Sequence, residues 1–84
     1  MGTNGREQSG ESRTVAAQIR AERAASGLPQ VEVYTRSGIS RSTYLRIEAG
    51  KHVVDTSELA KITRALDITM SEFFQRVEER KRSR

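Results

Sequence analysis

Arg41, Ser42 and Arg46 fall within one short run, Ser40–Ala49, that opens on a helix-capping serine and is closed by Gly50. A guanidinium is a planar fork of N–H donors that fits paired acceptors, such as the O6 and N7 edge of guanine or the oxygens of a phosphate. On a helix these three residues, with Leu45, lie to one side of an inward stripe made by Tyr44 and Ile47. An α-helix is about the right width to enter the major groove of DNA. The indicated chemistry is therefore recognition. Nothing else in the chain points to bond-making: no Ser/His/Asp or paired-carboxylate arrangement stands out. The glycine-rich start follows no strand and precedes no GK[ST], unlike a phosphate-cradling loop. With no cysteine and one histidine, His52, neither a metal cluster nor a disulfide is expected. The chain is therefore not expected to be an enzyme or to hold a metal or cofactor.

A recognition helix needs a mount, and the apolar period along the chain is helical throughout. Thr14 is positioned to cap a first helix with Val15 and Ile19 on one face, ended by Ser26-Gly27. Pro29 presets the backbone at the entry to a second helix, about Gln30 to Arg36, that stops at Ser37-Gly38. Gly38 then supplies the tight turn that sets one short helix steeply against the next. Asp55 or Thr56 opens a fourth helix with Leu59, Ile62 and Leu66 as its stripe, and Asp67 suits the turn that follows. Thr69 or Ser71 opens a fifth helix carrying Phe73, Phe74 and Val77, which fades into the basic run Arg80–Arg84. No alternating apolar run exceeds Val31-Glu32-Val33, so a sheet is not expected. The fold class is all-α, a five-helix domain over residues 14–84.

Residues 1–13 hold three of the chain's six glycines and no aliphatic residue beyond Met1, so they are expected to form a disordered, flexible tail. The net charge of +4 comes from 15 basic and 11 acidic side chains, and the tail's charges cancel. The excess lies in the folded part and favours an anionic partner. No stretch approaches the roughly 18 apolar residues of a membrane span, and no apolar core follows the N-terminal charges. The expectation is a cytoplasmic, nucleoid-associated protein without a membrane partner.

With these residues in view, positions 28–74 resemble the lambda-repressor-like helix-turn-helix family, the Cro and cI type also called the xenobiotic-response-element type. The matching features are Gln30, Gly38-Ile39-Ser40, Ile47-Glu48-Ala49-Gly50, the helix Leu59–Leu66 and the pair Phe73-Phe74. The resemblance implies a compact lambda-repressor-like fold that reads double-stranded DNA. It implies base-reading roles for Arg41, Ser42 and Arg46, and phosphate contacts from Gln30, Ser40, Thr43 and Lys51, with Arg36 as a weaker candidate. It further implies a structural pair between Arg23 and Glu48. The chain departs from the family pattern in three ways: Tyr34 stands where a small residue is usual, Tyr44-Leu45 replace an aliphatic and a polar residue, and Pro29 removes a side-chain cap. Packing of Tyr34 against Tyr44 is one way to accommodate them.

The functional expectation is a transcriptional regulator, a repressor, that binds a pseudo-palindromic operator as a homodimer. Phe73, Phe74 and Val77 are the candidates for the dimer contact, and a protein regulator is a further possible partner. The alternative is a protein-interaction module, an antitoxin or adaptor using the same fold. Each charged residue also has a plainer role open to it, as part of a solvated helix face. His52 is a loop residue for which phosphate contact is the lesser option.

Overall fold

The computed structural model describes residues 8–83, and among them there are only helices, turns and loops. A π-helical turn, Gln8–Ser12, leads into α1 (Arg13–Ser26), followed by α2 (Gln30–Ser37), α3 (Arg41–Glu48), α4 (Thr56–Ala65) and α5 (Met70–Arg82). Ser40 caps α3 by accepting from the Thr43 amide at 3.3 Å. Asp55 and Thr69 each open a reciprocal capping box, with Glu58 and Glu72 returning a bond to the cap's own N–H. Asp67 turns the chain between α4 and α5 at φ 60°, a left-handed conformation that Asp tolerates better than most side chains.

The core is one cluster to which every helix contributes. Ile19 of α1, Val33 of α2, Tyr44 and Ile47 of α3, Leu59 and Ile62 of α4, and Phe73 and Val77 of α5 are all buried. Burying side chains of this size is worth about 1.5–3 kcal/mol each. Helix α1 packs on α5 and on α3, while α2 packs on both α3 and α4, so α3 is held from two sides. The Tyr34 and Tyr44 rings meet at 6.1 Å with a 50° tilt. Tyr44 takes the core position and Tyr34 lies half-buried over it, which is how the motif accommodates two large rings.

Three expectations change. Part of the stretch expected as a tail, Gln8–Ser12, forms the π-helical turn; residues 1–7 lie outside the described residues. Ser12 is buried and Glu11 reaches Lys81 of α5 at 3.4 Å. Thr14 is no cap: it lies inside α1 and its hydroxyl donates to the Gly10 carbonyl at 3.2 Å. Phe73 and Val77 cannot form a dimer contact as they stand, because both face the core, at 0% and 4% exposure. Phe74, turned edge-on to Phe73, is 47% exposed.

Candidate nucleic-acid interface

Both ends of α3 are secured. At the start, Gly38 adopts φ 76° and its N–H donates to the Tyr34 carbonyl, completing the tight turn out of α2. The Ser37 hydroxyl reinforces that turn by donating to the Tyr34 carbonyl at 3.2 Å and accepting from the Ile39 amide at 3.3 Å. At the finish, the Lys51 amide donates to the Arg46 carbonyl at 2.9 Å and the Gly50 amide to Ile47 at 3.1 Å. These two bonds are the Schellman pattern, with Gly50 in the left-handed conformation that a side chain would resist.

Between these ends the helix divides by face. Tyr44, Ile47 and Glu48 are buried; Arg41, Ser42 and Arg46 are exposed; Thr43 and Leu45 are half-buried. Arg41 has no hydrogen-bond or ion-pair partner among the described residues. Arg46 folds back, and its Nη2 donates to the Lys51 carbonyl at 2.9 Å. Lys51 and Ser40 are exposed at the two ends of the same helix. Arg36 is paired with Glu32 one turn away on α2 at 3.1 Å. The His52 ring lies 3.0 Å and 3.1 Å from the two oxygens of Glu58, so its polar edge is engaged within the protein.

Glu48 organises the interior side of this candidate interface. Arg23 of α1 grips its carboxylate in two places, Nε to Oε2 at 2.7 Å and Nη2 to Oε1 at 3.2 Å. The remaining terminal nitrogen of Arg23 donates to the Leu28 carbonyl at 3.1 Å, tying the α1–α2 connection to the end of α3. The Tyr44 hydroxyl donates to Oε2 of Glu48, and Gln30 Nε2 donates to Oε1 at 2.9 Å. Arg20 adds a donor to the Glu48 backbone carbonyl, neutralising the negative end of α3. Burial pushes the Glu48 carboxyl up, but its bonds from Arg23, Tyr44 and Gln30 outweigh this and hold it below the ordinary value. Tyr44 moves the other way: burial first, and the adjacent carboxylate second, raise its phenol well above the usual range.

Gln30, expected on a phosphate, thus stands half-buried against Glu48, and Arg23 stands beside Glu48 as well. Sequence reasoning missed Arg20, Tyr44 and Gln30 as partners of Glu48. The available signal was the spacing of Arg20 and Arg23, three apart and so on one face of α1. No comparable signal marked Ser37.

A Cro/cI-type helix-turn-helix family model matches residues 19–73, more than half of the chain and the whole of α2, α3 and α4. Searches of the curated proteins and of the solved structures found no match.

Proposed function

The chain belongs to the Cro/cI type of the helix-turn-helix family, whose domains bind DNA, and from that membership we propose a transcriptional repressor acting on a pseudo-palindromic operator. The observation that carries the reading is the face of α3: Arg41, Ser42 and Arg46 are exposed together on a helix anchored at both ends. In this reading Arg41, Ser42 and Arg46 meet base edges, while Gln30, Ser40, Thr43 and Lys51 meet the sugar-phosphate backbone. The protein works as a homodimer on the nucleoid, in the cytoplasm. Two copies of α3 then enter successive major grooves, about 34 Å apart. One small module buries less protein surface than selective binding ordinarily requires, which favours two copies. With Phe73 and Val77 in the core, Phe74 is left to make the dimer contact, and exposed Val53 lines the same shallow groove. No helix among the described residues is long and apolar enough to cross a membrane.

The test is selection of bound sites from a pool of random duplexes, followed by titration of variants on the recovered site. A pseudo-palindromic consensus is expected. Arg46→Ala is expected to relax preference at one base position, whereas Lys51→Ala weakens all duplexes alike and lowers the salt dependence. Absence of any selected sequence favours the protein-docking alternative.

A further inference from the structure

Of the three side chains that donate to the Glu48 carboxylate, one is also assigned to the DNA backbone in the reading above. Gln30 is the first residue of α2, half-buried, with Nε2 donating to Glu48 Oε1 at 2.9 Å. A carboxylate only accepts, so the NH2 end of the amide must face it; turning the amide over would set its carbonyl oxygen against the carboxylate. One N–H is thereby used, and the second N–H of the same nitrogen has no partner among the described residues. Glu48 itself is held from several sides: it is 4% exposed, and each of its oxygens accepts twice.

We infer that Glu48 is a positioning residue that aims the spare N–H of Gln30 at a DNA phosphate. The inference rests on the DNA-binding reading. Glu48 is too deeply buried to meet DNA and acts through Gln30. Because Glu48 is also the last residue of α3, one carboxylate indexes the backbone contact at the head of α2 to the base-reading face of α3. Pro29 strengthens the need for such an arrangement, since it provides no side-chain cap at the start of α2 and leaves Gln30 as the first polar side chain there.

The experiment is a methylphosphonate scan. The duplex recovered by selection is resynthesised with a single neutral phosphate at each position in turn, and its affinity is measured for the wild type, Gln30→Ala and Glu48→Asp. The wild type is expected to lose about tenfold at the phosphate served by Gln30, the scale of one hydrogen bond to a charged acceptor. Gln30→Ala shows no loss there. Glu48→Asp keeps a negative charge beside Arg23 but withdraws the acceptor by one methylene, and is expected to behave at that phosphate like Gln30→Ala. The double variant is then no worse there than either single one. Wild-type sensitivity retained in Glu48→Asp overturns the inference. Should Glu48→Asp not fold, Gln30→Asn replaces it by shortening the amide instead, and sensitivity retained in that variant overturns the inference equally. A readout without DNA is the pair of Gln30 side-chain amide protons in a 15N-resolved spectrum. One of them is expected downfield and slow to exchange in the wild type; a pair indistinguishable from exposed Gln75 overturns the inference. A wild type that selects no duplex defeats the DNA-binding reading, whereas selection with a scan indifferent to Glu48 defeats the positioning role alone.

Discussion

Two glutamates are buried among the described residues of this small domain, and their surroundings differ. Glu48 ends α3 and accepts from three helices at once: Arg23 of α1, Gln30 of α2 and Tyr44 of its own helix. Glu22 lies in α1, where Gln18 Nε2 donates to it at 2.7 Å and Arg76 of α5 at 2.8 Å. The guanidinium on Glu48 is largely shielded, at 23% side-chain exposure, while the one on Glu22 is 43% exposed. A shielded pair cannot be replaced by water when a partner is lost, whereas an open one can. The first cluster therefore determines where α3 sits, and the second braces the outer side of α5. Arg80, donating to Gln18 at 2.9 Å, extends that outer brace rather than acting as a free basic terminus.

Removing one arginine from each cluster breaks the comparison most directly. Arg23→Ala strands the buried Glu48 charge and is expected to cost about 3–5 kcal/mol in urea unfolding, a large part of a small domain's stability. Arg76→Ala is expected to lower the melting temperature far less, because solvent takes over its role on Glu22. Equal losses would show that burial of the glutamate, and not shielding of its partner, sets the energy.

Next in size is Tyr44→Phe, which removes one hydrogen bond to a charged group and is expected to cost about 1.5–3 kcal/mol. It also separates two pH dependences. The Glu48 carboxyl is held below its ordinary value of 4.5, so the stability it contributes is complete above that pH. That stability drains away as pH falls from 4.5 through the lower native value. The Tyr44 phenol is held above its ordinary value of 10.0, so its contribution is complete below that pH and is lost as pH rises beyond it. Melting curves across pH should therefore show an acid arm and an alkaline arm in the wild type. Tyr44→Phe should flatten the alkaline arm while an acid arm from the Arg23–Glu48 pair remains.

Ser40→Ala probes the opposite end of α3 and is expected to have the smallest effect of the series on that helix, about 1 kcal/mol, read from the same unfolding curves. The N-terminal anchor is an exposed cap, so its loss is partly made good by water; the C-terminal anchor is buried and is not.

Local chemistry made much of the fold legible. Pro29, Gly38 and Ser40 mark helix boundaries through their own backbone preferences, and Asp67 marks a turn in the same way. Apolar spacing likewise identifies Ile47, Leu59, Ile62 and Leu66 as inward-facing. What could not be read depended on which helices meet. The Glu11–Lys81 pair joins residues far apart along the chain, which no local pattern announces. The orientation of Phe73 against Phe74 follows from the roll of α5 on α1 and α4, because adjacent phenylalanines look alike in any helical count. Gln30 illustrates the limit at the candidate interface: the resemblance assigns it to phosphate, and its partner within the protein, Glu48, lies 18 residues away on another helix. Side chains with long reach choose partners only once the backbone around them is set.

Under the proposed base-reading role of Arg46, its bond to the Lys51 carbonyl has its own bearing on how sequences are told apart. An arginine with an acceptor at home leaves it only for a better one, so a poor base pair need not meet a stranded cation. Selectivity at that position is then the margin between two contented arrangements, narrower than the worth of the bound contact alone.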